Sequence, residues 1–381
     1  MNHLPLTGIV VLEFSQYLSG PSAGLRLADL GARVIKIERP NGGDAGRKLA
    51  IKNLWAGDDS LLFHTINRNK ESFTADLKDP ADLLIVKKLI EKADVLTHNF
   101  RPGIMEKVGL DYAQVSTINP RLVYAEISGY GKEGPWKNKP GQDLLLQSVT
   151  GLAYTTGNAE DAPVPFGLSI ADALCGAQLV QGILASLIRR QKTNKGTLVS
   201  ISLMESLLDF QFELLTTYYN SKLDIKRSQV SNGNPMLGAP YGIYQTADGY
   251  LAIAMMDIAV LGNAIGCQEL LQYAQKDMFV SRDEIKNILK TYLQSQSTKH
   301  WLEALQSKDL WAMEVLDWNM MVQTEAYQQL QMEQVVVASN GAQITTTTCP
   351  IRINGQKIFA AKAAPALGAD NNQIKLDFTI N

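Results

Sequence analysis

One carboxylate stands apart in this sequence. Asp172 lies in VPFGLSIADALCGAQLVQGILASLIRR, where a turn gives way to a long apolar run, and no further acid follows until Glu205. From Ala173 to Arg190 apolar and small residues recur at helical spacing, and the run ends in Arg189 and Arg190, cations suited to a helix C-terminus. Asp172 is therefore expected in the N-cap region, where orphan N–H groups and the positive dipole end hold a carboxylate ionised and nucleophilic. A plain helix cap would look the same, so the residues around it must decide. Asp143 precedes the apolar run LLLQ, where it reads as a cap of its own helix.

Composition narrows the rest. The chain has 381 residues, enough for a sizeable core in one large domain or two ordinary ones. A net charge of -2 argues against general nucleic-acid binding, which needs a basic excess. Cys175, Cys267 and Cys349 are far apart, and with no leader pattern they suggest a reducing cytoplasm; Cys175 is expected as a buried core thiol. His3, His64, His98 and His300 have no metal-ligand spacing, so no metal is expected. The best membrane candidate, Ala173 to Ile188, is short and interrupted by Gln178 and Gln181, which predicts a core helix.

The elements that must carry these residues begin with a β-turn-α-β pattern. Gly8 to Ser15 reads as a buried strand, Ser19 to Ala32 as a helix with Pro21 near its start, and Arg33 to Pro40 as a second strand. The rhythm recurs as a helix over Ala81 to Ala93 and strands over Asp94 to Phe100 and Arg121 to Gly131. This predicts an α/β fold with a Rossmann-like parallel sheet, binding ligands beyond the carboxyl ends of its strands. Gly8, Gly20 and Gly24 do not form the dinucleotide fingerprint, so a nicotinamide cofactor is not expected. Ser221 to Pro240 reads as a linker, Tyr241 to Met256 as a hairpin turning at Ala247 to Gly249, and helices follow to Gln306, one capped by Ser297. β-like runs return from Gln334. The predicted division is a large α/β domain from residues 1–220 and 330–381, with linkers and a smaller α+β domain over 221–329.

Six strings taken in order make a more specific pattern: Leu18 to Arg47, Asp94 to Pro135, Pro140 to Gly157, Gly167 to Gly196, Ala239 to Met255 and Pro350 to Gly368. Together they resemble the class III coenzyme A-transferase family, which includes formyl-CoA transferase, carnitine CoA-transferase and α-methylacyl-CoA racemase. Residues 256–333 match least. The resemblance implies a homodimer of two interlocked ring-like subunits and acyl-CoA and carboxylic acid as substrates, with no separate cofactor. It also implies that Asp172 is the covalent nucleophile, passing through a mixed anhydride and an aspartyl-CoA thioester. Oxyanion donors are then sought around Gly129 to Gly134 or at Gly233, and Asp143 and Gln142 become supporting residues. By family position Arg39, Arg47, Asn99, Phe100, Arg101 and Lys107 are the CoA-binding candidates, since a pyrophosphate and a 3′-phosphate need cations and N–H donors.

Two departures shape the expected substrate. The loop Ser231 to Pro240 has single glycines where formyl-CoA transferases carry a run of them, and Leu18 stands near a position where they place glutamine. With Tyr17 and Phe166, Leu18 suggests an acyl group less polar or larger than oxalate or formate. The family's racemases use a G-H-D string, and this chain reads Gly141-Gln142-Asp143. Glutamine cannot return a proton near neutral pH, so the racemase alternative lacks its second base. A non-catalytic acyl-CoA binding protein would keep the cations but would not need Asp172. A dehydratase would need an acid-base pair near the β-carbon that the sequence does not offer.

Overall fold

In a computed structural model, residues 4–380 are described apart from Leu223 and Ile225, so His3 lies outside the described residues. The chain divides into two compact units, Met1–Leu146 with Ser169–Phe210 and Gln328–Asn381, and Gln147–Leu168 with Gln211–Tyr327. Residues 147–168, expected in the large domain, thus belong to the smaller unit. The physical reason is local: the Gln147 amide binds the Phe166 N–H and the Leu168 carbonyl, while buried Arg227 donates to the carbonyls of Thr156, Ala159, Asp161 and Ala162.

The larger unit is built on six parallel strands: β1 (Val10–Glu13), β2 (Arg33–Glu38), β3 (Lys70–Thr74), β4 (Val95–His98), β5 (Val123–Ser128) and β6 (Thr197–Ser202). Their order, β3-β2-β1-β4-β5-β6, reverses direction between β1 and β4. The loops that leave the carboxyl ends of those two strands diverge there and open the crevice where such sheets bind ligands. The first helix, α1 (Ser19–Asp29), follows β1, and Gly31 just beyond it takes φ +102°, which only glycine adopts freely. One face of the sheet packs Leu12, Ile35 and Leu96 against Val86, Leu89 and Val115, and Ile374 and Phe378 near the C-terminus complete this cluster. Asp370 and Asn371 accept the N–H groups of Ser72 and Thr74, so the chain end is bound to strand β3.

The long helix Ile170–Thr193 exceeds its expected length, and by length and composition alone could cross a membrane. It is packed on the sheet and α1, burying Ala171, Cys175, Leu179, Ile183 and Leu187 at helical spacing. Arg190 at its end is not a solvated cap: it is buried and paired with Asp94 at 2.8 Å.

The smaller unit carries an antiparallel sheet of Gly242–Gln245, Tyr250–Ile253 and Ala312–Glu314, with helices Ile258–Ile265, Arg282–Tyr292 and Thr298–Gln306. The hairpin turns where expected, and Ser297 caps the last helix by accepting the His300 N–H at 3.2 Å.

Beneath the β1–α1 turn lies a fully buried charge network. Glu13 accepts from Lys36 at 3.0 Å and from Lys70 at 2.8 Å. Lys36 also reaches Asp44 and the Ser15 carbonyl, and Lys70 reaches the Pro21 carbonyl and Asn67. Burial opposes both ammonium charges; around Lys36 the carboxylates of Glu13, Asp44 and Glu38 outweigh it and the pKa rises, whereas Lys70 falls to about 8. Removing one partner from such a network strands buried charge and costs about 3–5 kcal/mol. Glu13→Gln should therefore lower the urea unfolding midpoint sharply, while Glu303→Gln, from the exposed Lys299–Glu303 pair, leaves it unchanged.

Candidate active site

The crevice at the β1–β4 divergence is held by a few polar side chains. Asn99, just past β4, clamps the loop after β1: its Oδ1 accepts the Gln16 N–H at 2.8 Å and its Nδ2 donates to the Gln16 carbonyl at 2.7 Å. The same Nδ2 reaches Ser19 Oγ at 3.4 Å. Asp44 accepts the N–H of Tyr17, a residue at φ +62°, and Lys36 fixes the preceding carbonyl of Ser15. This turn delivers Ser19 to the start of α1.

The first turn of the long helix meets α1 closely because residue 176 is glycine. A Cβ there would lie 2.2 Å from Ser22 Oγ and 2.7 Å from the Ser19 carbonyl, too near for any side chain. This packing sets Ser19 near Asp172, whose carboxyl pKa the serine hydroxyl tends to lower.

Asp172 is not the cap that the sequence suggested. The helix begins at Ile170, and Asp143 takes the capping role: its Oδ2 accepts the N–H groups of Ala171 at 2.7 Å and Asp172 at 3.2 Å. Asp143 is positioned by the close approach of two loops, where a Cβ on Gly141 would lie 2.6 Å from Gly129 Cα. The effect on Asp172 is opposite to that expected. Burial and the Asp143 charge push its carboxyl up to about 6, with the Ser19 hydroxyl in partial opposition. Among the described residues no cation pairs with it. At neutral pH it remains mainly ionised, and less strongly solvated than a surface aspartate.

The other candidates separate by burial. Arg47 was expected at the CoA phosphates, but it is 2 % exposed. Its guanidinium binds Glu38 through Nε and Nη2, at 2.7 Å each, and Asp59 through Nη1, and lies 3.8 Å over the Phe63 ring. It is a structural cation with no face left for a phosphate. Asn99 holds the loop with its whole amide. Arg39, Arg101 and Lys107 are exposed at or beyond the carboxyl ends of β2 and β4, and the last two make no ion pair among the described residues. Phe100 and Arg101 line a cavity of about 30 Å³ with His98, Glu126 and Lys132. Burial tends to raise the Glu126 carboxyl, but His98, Lys132 and Ser200 outweigh it and hold it at about 2.

Gln142 is exposed, and its carbonyl accepts the Leu145 N–H at 2.9 Å. Of the proposed oxyanion donors, the Gly131 N–H is already bound to Ser128 Oγ at 3.0 Å. Gly233 lies in the smaller unit, where its Cα is held so close to the Tyr241 ring that a Cβ would come within 2.8 Å. Tyr17 is exposed, Leu18 partly buried, and Phe166 belongs to the smaller unit. Sequence reasoning overlooked Ser19, Lys36, Asp44 and Lys132. The LSGP string was visible, but nothing in it says that a serine there meets an aspartate far along the chain.

The chain is similar to known proteins across most of its length. A family model described as CoA-transferase family III matches residues 6–371. The acetyl-CoA:oxalate CoA-transferase of Acetobacter aceti is 34% identical over 79% of this chain and 78% of its own length. The succinate–glutarate CoA-transferase of Agrobacterium fabrum is 30% identical over 97% of this chain and 94% of its own. A crystal structure of a CAIB/BAIF family protein from Brucella suis superposes with a TM-score of 0.83 at 26% identity, covering 99% of this chain and 100% of that one.

The raised Asp172 carboxyl has two measurable consequences. Activity that needs the carboxylate should show an acid limb in kcat/KM near pH 6. Because the folded value lies above the unfolded one, ionising this group costs the fold stability. That loss is absent below about pH 4, grows towards pH 6 and is constant above. Asp172→Asn should therefore abolish turnover yet raise stability at pH 7 by on the order of 1–2 kcal/mol, read as a higher Tm that converges with wild type below pH 4.

Proposed function

The chain belongs to CoA-transferase family III, and from that membership we propose that it moves coenzyme A from an acyl-CoA to a carboxylate through covalent intermediates on Asp172. The observation that carries this reading is an ionised, half-buried carboxylate without a cation partner, on a helix whose first N–H groups are taken by another acid. A carboxylate so placed is available to attack.

The steps balance without a metal or redox partner. The Asp172 carboxylate attacks the thioester carbonyl carbon of the donor, forms a C–O bond and expels CoA thiolate, leaving an acyl-aspartyl anhydride. The thiolate then attacks the Asp172 carbonyl carbon, forms a C–S bond and releases the donor acid as its carboxylate. The acceptor carboxylate displaces CoA from that thioester to form a new anhydride. The returning thiolate takes the acceptor acyl group and restores Asp172. An anhydride is the intermediate that can pass to either a thioester or an acid, which is why the nucleophile is a carboxylate and not a hydroxyl or thiol.

Arg39, Arg101 and Lys107 are the cations proposed for the CoA phosphates, with the N–H groups of the loop after β4. The racemase reading gains no support, because the described histidines are engaged elsewhere: His64 with the Ala56 carbonyl, His98 beside Glu126 and His300 against Trp301. The donor and acceptor acids are set apart from this machinery. Relatives named for oxalate and for glutarate span the polar end of the range, and Leu18 and Tyr17 favour a less polar acyl group here. Activity on oxalate equal to that on the best substrate would remove that preference. The active species is proposed as a cytoplasmic homodimer.

Intact-protein mass spectrometry with a panel of acyl-CoAs, followed by hydroxylamine or borohydride trapping and peptide mapping, should place the adduct on Asp172. α-Proton exchange into deuterated water without any adduct would overturn the transferase mechanism in favour of a racemase. Arg101→Ala should raise KM for acyl-CoA about tenfold at unchanged kcat, as expected when one exposed phosphate contact of ~1.4 kcal/mol is lost. Arg47→Ala should instead lower the Tm, since it leaves Glu38 buried and unpaired.

A further inference from the structure

One side chain brackets the turn made by Tyr17 and Leu18. Asn99 Oδ1 accepts the Gln16 N–H at 2.8 Å, and its Nδ2 donates to the Gln16 carbonyl at 2.7 Å. On the far side of the turn the same Nδ2 lies 3.4 Å from Ser19 Oγ. Gly20 follows, where a Cβ would come 3.6 Å from Asn99 Cγ, so the amide also packs against the start of α1. A primary amide carries one acceptor and one donor on a single edge, which matches the N–H and carbonyl of one residue. Gln16 uses both, and this fixes which amide atom is the oxygen. The turn needs such outside bonds, because Tyr17 sits at φ +62°, a costly conformation for tyrosine. Its other ties, Lys36 to the Ser15 carbonyl and Asp44 to the Tyr17 N–H, come from β2 and the loop after it. Asn99 alone among these three side chains stands beside Phe100 and Arg101, so it grips one loop from the root of the other, across the β1–β4 divergence.

We propose that Asn99 is the positioning residue that sets the acyl-facing turn of Tyr17 and Leu18 in register with the CoA-facing loop of Phe100 and Arg101, and that its side chain does not itself bind CoA. This rests on the transferase reading given above, in which Arg101 and its loop hold the CoA phosphates and Tyr17 and Leu18 meet the acyl group. In an acyl-CoA the thioester carbon is joined to the nucleotide by a long flexible arm. Holding the nucleotide end alone leaves that carbon free to wander. The amide clamp adds a fixed separation between the surface that holds one end and the surface that meets the other. The turn also runs directly into α1, whose Ser22 hydroxyl and Ser19 carbonyl lie against Gly176, one helical turn after Asp172. A displaced turn therefore moves the wall beside the nucleophile as well. Asn99 makes and breaks no bond in the substrate, and no proton passes through it.

Holding CoA and placing the acyl group come apart in two variants. Asn99→Ala should leave the Kd for free CoA unchanged and lower kcat on the order of 10²-fold, the effect of about 1 Å of misplacement. It should also narrow the ratio of kcat/KM between the best acyl-CoA and the next best, because the turn that discriminates them is loosened. Asn99→Asp gives a signature that lost stability does not. Ionised, the introduced carboxylate sets an oxygen against the Gln16 carbonyl and repels it; protonated, it again offers one donor and one acceptor. The ratio of variant to wild-type kcat should therefore climb as the pH falls from about 7 to about 5, a ratio in which the Asp172 limb cancels. A raised Kd for CoA with kcat retained would make Asn99 a CoA ligand and overturn the proposal. A lower Tm with wild-type kcat and acyl selectivity would overturn it too, and so would an Asn99→Asp ratio that stays flat with pH. Each of these failures leaves the transferase reading standing. Wild-type enzyme that neither binds CoA nor moves it between acids overturns that reading, and the Asn99 role with it.

Discussion

The site depends on a carboxylate shared by two buried ammonium groups. Glu13 sits at the end of β1 between Lys36 of β2 and Lys70 of β3, with α1 directly above it. The approach is so close that a Cβ on Gly24 would fall 1.7 Å from a Glu13 oxygen. Through Lys36 the network fixes the Ser15 carbonyl and Asp44, and Asp44 fixes Tyr17. Through Lys70 it fixes the Pro21 carbonyl inside α1. A short loop that would otherwise sample many conformations is thus tied at both ends by charge that has nowhere else to go. Desolvation makes such a network a costly way to hold a fold together. What it supplies here is a single geometry for the turn that carries Ser19.

The second constraint is the division of labour between Asp143 and Asp172. Two carboxylates at one helix start compete for the same N–H groups, and the winner is the one outside the helix. Asp143 takes the donors and is stabilised by them; Asp172, within the first turn, is left with burial, a like charge and a serine hydroxyl. In the proposed mechanism this favours attack: a carboxylate with a value near 6 is a better nucleophile than one near 4, and it is still ionised at pH 7.

Much of this was legible before any coordinates. The β-turn-α-β opening, the hairpin over Gly242–Ile253, the Ser297 cap and the return of the C-terminus to the larger unit all follow from periodicity and turn chemistry. The two edge strands were not legible, for different reasons. In β3 the residues Lys70 and Ser72 are buried and polar, because they serve the Glu13 network and Glu38, so the strand lacks an apolar signature. In β6 the alternation is present but faint, with Leu198 and Ser200 facing out. Asp172 was read as held ionised by a helix start, whereas burial and Asp143 push its carboxyl up. Helix patterning locates a first turn only to within a few residues, and here Asp172 lies three residues past the N-cap position, Ser169.

The arginines carry the sharper lesson. Arg47 and Arg101 look alike in sequence, each in a loop after a parallel strand and each flanked by glycine or proline. Only burial and partners tell them apart. Arg47 has a carboxylate waiting at Glu38, another at Asp59 and an aromatic face at Phe63, all brought in from separate elements. Arg101 has none of these, and it stands at the reversal of strand order where the loops part. A buried cation is held by the charges that compensate it, so it cannot also be offered to a ligand. An exposed cation at a topological switch point has no such claim on it, and the same reasoning that removes Arg47 from the proposed phosphate contacts keeps Arg101 among them.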